Sequence, residues 1–314
     1  MNFNKVQELL SKIRKHINTH RYQILLIEEA DTWNQVCSSL DVIDDTVLSI
    51  KAYLEEEFPS KTGVRYLYSY GILQSLFVQQ DALKNLAEAL KIKLEEDKDL
   101  KRIREKRNAA IGHPTKMNRD KNFFFYHISR YSMSKEGFEL IEYTSDQRPE
   151  FLSVRIIALI ETQINSLEKH FSKLNEKLTR IDIMHKNKFE NNTLQNLFSS
   201  GMGYMHEKIV SGITSKGGHD LAFSLSMLES LREIYENLKK AIKDRRELRD
   251  HIEYEFDMIF RAFDRINEFL TEKSTSIDEL DALIYEEYID KKKEYFLIIA
   301  KEIDEEYIIG AKQT

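Results

Sequence analysis

Three prolines, Pro59, Pro114 and Pro149, and ten glycines are all that punctuate 314 residues. Proline halts helices and glycine supplies the left-handed angles of tight turns, so a chain this poor in both makes few of them. Sandwiches and barrels of many short strands need a turn about every 8–12 residues. Long helices are what remains, and the apolar spacing agrees. Val6, Leu9, Leu10, Ile13 and Ile17 mark a helix over 2–28, and Val36, Leu40, Ile43, Val47 and Ile50 mark another over 32–57, capped by Asp31 or Thr32. The most apolar helix, 63–94, carries Gln74, Gln79, Gln80 and Asp81, polar groups that need partners if the helix is central. A helix over 97–111 is expected to stop at Gly112, in a left-handed cap, before Pro114.

Alternation changes the reading between 121 and 145. NFFFYHI and FELIEY, joined by a turn near Ser134–Gly137, read as a β-hairpin. Helix resumes over 149–182, with Phe151, Val154, Ile157, Ile160, Ile164 and Leu167 on its stripe, and four more helices are expected at 190–212, 219–249, 250–272 and 276–309. The expected fold is all-α: a helical bundle with one small hairpin over 1–185, then a second helical domain over 186–314. Cys37 is the single cysteine, which excludes an intramolecular disulfide and a cysteine-rich zinc site. No stretch approaches the roughly 18 apolar residues that span a bilayer. The first twenty residues hold no apolar core of signal-peptide length, so the expected location is cytoplasmic.

The chemistry concentrates in one segment, Arg107-Asn108-Ala109-Ala110-Ile111-Gly112-His113-Pro114. An arginine is followed by a polar residue and, six positions on, by a histidine. Other pairs have similar spacing, namely Arg14 with His20, Arg180 with His185, and Arg245 or Arg246 with His251, but Arg107 alone is followed by asparagine. On an unbroken helix six positions turn through about 600°, leaving the two side chains about 120° apart. Helix termination at Gly112, with a residue before proline at 113, frees His113 to turn back. Lys98 to Lys121 also holds nine Lys or Arg against three Asp or Glu, in a chain whose net charge is −6. Lys101, Arg102, Arg104, Lys106, Lys116 and Arg119 are the candidates for phosphate contact. The competing reading is structural: an arginine at its own helix C-terminus, a loop histidine and a solvated basic face.

This segment resembles the ribonuclease motif of the HEPN superfamily. The resemblance covers about residues 32–182, and outside the motif it rests on helix count and order. It implies a HEPN-like bundle that pairs with a second copy, and metal-independent RNA cleavage in which the 2′-hydroxyl attacks the adjacent phosphate. Arg107, Asn108 and His113 would be catalytic, RNA and a homodimer partner are implied, and no cofactor is needed. An antitoxin or trigger partner fits the toxin and antiphage roles of many HEPN proteins. Thr115 stands where some HEPN toxins carry a modifiable tyrosine, so that regulation is not expected. The alternative is a catalytically silent helical module that binds a nucleotide, RNA or a protein.

Weaker candidates complete the reading. His16 and His20, four apart on one helix, could share a metal, and His206-Glu207 and His219-Asp220 are adjacent pairs without an obvious ligand set. GITSKGG, from Gly212 to Gly218, lacks the Lys-Ser/Thr ending of a phosphate loop and reads as a helix connection near the glycines at 201 and 203. Tyr66, Tyr70 and Phe77 could stack bases but suit a core stripe, and Gln80 and Asp81 either face the motif or bond internally.

Overall fold

The computed structural model describes residues 2–27, 29–119, 122–144, 148–198, 200–214, 221–271 and 276–311, with the side chains of 119, 122 and 308–311 outside the description. Within these residues the chain is mostly helical and divides into two compact units, Met1–Thr179 and Arg180–Thr314. The division falls inside a long helix rather than in the loop expected near 186.

The first unit begins with α1 (Phe3–Ile17) and α2 (His20–Ile27). The expected single helix breaks between them because Asn18 and Thr19 satisfy backbone groups locally. The Asn18 N–H reaches the Arg14 and His16 carbonyls, and Thr19 Oγ1 donates to His16 O at 2.8 Å. Next come α3 (Ala30–Glu55) and α4 (Thr62–Ala89), joined by a short loop through Pro59 and packed on each other. Glu29, not Asp31 or Thr32, occupies the N-cap of α3. Helix α4 stops five residues before the expected position 94. Lys91 adopts a left-handed φ of 55°, and Ile92 N–H bonds back to Ala87 O at 2.8 Å. Burial of Ile92, 6% exposed, offsets the strain of that angle.

After α5 (Lys98–Arg107) come β1 (Met117–Arg119), β2 (Asn122–Ile128), β3 (Gly137–Tyr143) and β4 (Glu150–Arg155), an antiparallel sheet in that order. The expected hairpin is therefore the centre of four strands. The helix expected from 149 begins at Ile156, as α6 (Ile156–Asn187). Phe151 is 66% exposed while Val154 is buried, a period of two that serves a strand and not a helix stripe. Gly137, at φ 149°, lies so close to Val154 O that a side chain there would overlap it. The sheet sorts its residues by parity. Tyr126, Ile128, Phe138, Leu140 and Val154 join the helical core, which Leu40, Leu73, Leu76, Ile160 and Phe171 also build. Each such side chain, fully buried, contributes about 1.5–3 kcal/mol.

The second unit has α7 (Met202–Thr214), α8 (Leu221–Asp244), α9 (Asp250–Leu270) and α10 (Glu279–Ala311), with a 3-10 turn at Leu194–Leu197. Its core is aromatic: Phe256 and Phe296 meet at 4.5 Å with their rings tilted by 35°, and Tyr235 meets Phe296 at 5.5 Å. The helix expected over 190–212 begins only at Met202, with Gly203 and Gly212 inside it. A β-carbon at Gly212 would stand 2.4 Å from Ser224 Oγ, so glycine there lets α7 and α8 touch. Residues 215–218 of the GITSKGG segment lie outside the described residues.

Candidate functional site

Helix α5 carries the motif at its C-terminal end and is anchored at the other. Asp97 caps it, accepting from Asp99 N at 2.9 Å and Leu100 N at 3.2 Å. The other carboxylate oxygen meets Nε2 of His170 on α6 at 3.0 Å, and Ser166 donates to the same carboxylate. Burial pushes the Asp97 carboxyl up. The hydrogen bonds from Leu100, Asp99, Ser166 and His170 outweigh it and hold the group below the usual carboxylate range.

Arg104 and Arg107, three apart, share the face of α5 turned to α4. Their guanidinium carbons lie 4.3 and 4.1 Å from the Phe77 ring centroid. Arg104 is charge-paired within the fold. Its Nη2 donates to Asp81 at 2.6 Å and its Nε to Gln80 at 3.3 Å. Gln80 donates to Gln163 on α6 at 2.8 Å, and Gln163 donates to Leu76 O and Gln79 Oε1. Gln74, Gln79, Gln80 and Asp81 thus each find a partner on α5 or α6, while Gln79 Nε2 is buried without one. Gln80 and Asp81 bond internally, Gln80 to Gln163 and both residues to Arg104, which precedes the motif.

Arg107 is only partly engaged. Nη2 donates to Gln74 Oε1 at 2.7 Å and Nη1 to Asn108 Oδ1 at 3.0 Å. Nε is buried without a partner. A guanidinium has five N–H groups, so one on each terminal nitrogen stays available.

The motif then leaves the α-helix in an unexpected way. Asn108–Gly112 is a π-helical turn, closed by a bond from His113 N–H to Asn108 O at 2.7 Å. Gly112 is not left-handed, so the expected cap is corrected. Glycine is needed there for space. A β-carbon would stand 2.7 Å from Arg107 Nη1 and 3.0 Å from Asn108 Oδ1. The wide turn and the missing side chain together let the arginine fold under its own helix end. His113 departs at φ −137°, ψ 49°, exposed, and its imidazole has no hydrogen-bond partner among the described residues. Pro114 O then accepts from Tyr126 N–H at 2.7 Å, tying the motif to the sheet.

The remaining basic candidates scatter. Lys101 and Arg102 are exposed, the former paired with Glu96 at 3.1 Å, and Lys106 is half-buried. Lys116 Nζ sits 4.3 Å from the Phe123 ring centroid. Arg119 ends β1, and its side chain lies outside the description. Arg104, a candidate for phosphate contact, is paired with Asp81. Tyr66 and Tyr70 meet edge-on at 5.7 Å, and the two arginines occupy Phe77.

The metal candidates fare differently. His16 and His20 are separated by the helix break, which removes the i, i+4 geometry. His206 is buried and its Nδ1 meets Glu286 at 2.6 Å rather than Glu207. His219 and Asp220 lie outside the described residues. No trio of His, Cys, Asp or Glu disposed to hold a metal occurs among those described. Two cavities, about 320 Å³ beside Asn192 and Arg245 and about 290 Å³ beside Asp97 and Ser166, include no motif residue in their walls. Gln74 and Phe77 are the members of the site that the sequence did not assign to it. Their signal was only that Gln74 needed a partner, and nothing local says that the partner is 33 residues away.

No protein-family model, no curated protein and no solved structure matches this chain.

Proposed function

We propose that this protein is a metal-independent endoribonuclease of HEPN type, a class that includes toxins and antiphage effectors. The observation that carries the reading is the end of α5. A half-engaged Arg107 with two available N–H groups and an exposed His113, whose imidazole has no hydrogen-bond partner among the described residues, flank one π-helical turn. An imidazole can take a proton from a ribose 2′-hydroxyl or give one to the leaving 5′-oxygen. The 2′-oxygen forms a bond to phosphorus as the 5′-oxygen departs, leaving a 2′,3′-cyclic phosphate and a 5′-hydroxyl. The planar guanidinium meets the negative charge of the phosphorane, and Asn108 orients that guanidinium. One motif histidine per chain means that a homodimer supplies acid and base from two protomers.

An assay of the purified protein in EDTA, with the RNA ends analysed, tests this. Cyclic-phosphate products from the wild type, reduced about 10²–10⁴-fold in His113→Ala, are expected. Full activity in that variant would sink the reading. The internal bonds of Arg107 to Gln74 and Asn108 favour a second reading, in which the segment is structural and the chain a silent module that binds a nucleotide, RNA, a trigger or an antitoxin-like partner. Absence of cleavage by the wild type would select it.

A further inference from the structure

The sheet has two faces of opposite use. Its inner face is core, while its outer face carries Phe123, Phe125 and His127 from β2, Tyr143 from β3 and Phe151 from β4. Phe123, Phe125, Tyr143 and Phe151 are 42%, 39%, 36% and 66% exposed. The register sets Phe125 opposite Tyr143, and Ile141 opposite both His127 and Phe151, so these residues form one surface. His127 and Tyr143 already stack, at 5.2 Å with their rings 21° from parallel. A contiguous exposed aromatic surface is costly unless something covers it.

The charge around it selects the occupant. Lys116 stands over Phe123 at 4.3 Å, and Arg155, exposed on β4, shares the face by register with Gly137. Glu139 is the one carboxylate of the described strand residues on this side. A cation held over a ring suits a ligand with alternating flat apolar and anionic parts, which describes a nucleotide chain. The spacing then selects the form. Rings two residues apart on a strand are about 6.8 Å apart, twice the roughly 3.4 Å between stacked bases of a duplex strand. Such rungs accept splayed, unpaired bases. The sheet is also continuous with the motif, because Lys116 follows His113 by three residues and Pro114 O bonds Tyr126 N–H.

We propose that the outer face of this sheet is a stacking platform for the unpaired bases of single-stranded RNA, leading the strand to Arg107 and His113. The assignment of the motif end rests on the ribonuclease reading above, whereas binding on the platform does not. The test is a fluorescence-anisotropy titration of the full chain carrying His113→Ala, so that the RNA survives, with a labelled 12-nucleotide single strand and with a duplex of equal length. The single strand should bind more tightly than the duplex. Phe125→Ala with Tyr143→Ala should weaken it at least about tenfold. Phe125→Leu, which keeps apolar bulk without a ring, should weaken it too, while Phe125→Trp should retain it and so guard against misfolding. Lys116→Ala should reduce the slope of log affinity against log salt by about 0.7.

Equal affinity for the duplex, no binding of the single strand, or binding unchanged in the double variant would each overturn the platform. So would a loss of self-association in that variant with RNA affinity intact, which would make the face a contact between copies of this chain. The two readings fail separately. Wild-type cleavage of long single strands that persists undiminished in Phe125→Ala/Tyr143→Ala sinks the platform alone. Platform-dependent binding by a chain that never cleaves sinks the ribonuclease alone.

Discussion

Gly112 concentrates the logic of the site in one missing methyl group. Its backbone is not left-handed, so alanine there faces no conformational penalty and gains about 0.5–1 kcal/mol of helix propensity. The new β-carbon nevertheless meets the Arg107 guanidinium. Gly112→Ala should therefore leave the melting temperature within a few degrees of wild type while lowering kcat/KM on RNA by about 10²-fold, on the scale of a misplaced catalytic group. Matched melting curves and kinetics check this, and unchanged kinetics would mean that Arg107 need not fold under the turn. Gln74 is the second lever. Gln74→Ala removes the Nη2 acceptor from an exposed position. Its stability cost should stay near 0.5–1.5 kcal/mol, with the activity loss larger than that stability loss explains. The sequence marks Gly112 as a helix stop and Gln74 as a polar group needing a partner, but not these roles, because a space requirement and a partner 33 positions away have no local signature.

At the scale of the element, α5 is short and strongly charged, so its own propensity cannot hold it. Asp97 does, by capping the helix and pairing with His170 from α6. Asp97→Ala should destabilise the first unit by about 2–4 kcal/mol, as a lost cap plus a buried histidine left without its partner. Chemical denaturation measures it. The same carboxyl predicts a pH effect. Its folded pKa is depressed, so ionised Asp97 contributes stability that is present above the unfolded value of about 3.9 and lost as pH falls through the lower folded value. Asn can still cap a helix but does not titrate. Unfolding free energies of wild type and Asp97→Asn should therefore differ above about pH 4 and converge below it, and parallel curves would refute the role given to this charge. The four strands teach a related lesson. Phe151 and Val154 fit a helix stripe by spacing, but three residues apart is also odd-to-even parity in a strand. Only pairing with β3 decided which period held.

For the whole molecule, each unit has its own hydrophobic core. A fragment ending at Asn187, which keeps all of α6, should thus unfold cooperatively by itself and retain its near-ultraviolet circular dichroism. A molten fragment would show that the first core is incomplete without the rest of the chain. Among the described residues no helix is long and apolar enough to cross a membrane.

Helix-rich architecture, the central hairpin strands and the singular place of Arg107-Asn108 before His113 were legible directly. They depend on breaker scarcity, local periodicity and adjacency, all properties of neighbouring residues. The outer strands of the sheet and the division of Arg104 from Arg107 were decided only by tertiary structure. Each depends on what a distant segment offers: Asp81 and Gln80 to one arginine, Gln74 to the other, β3 to β4. The two arginines look alike in sequence, and the carboxylate of α4 pairs with one of them, while the other meets only amide oxygens among the described residues.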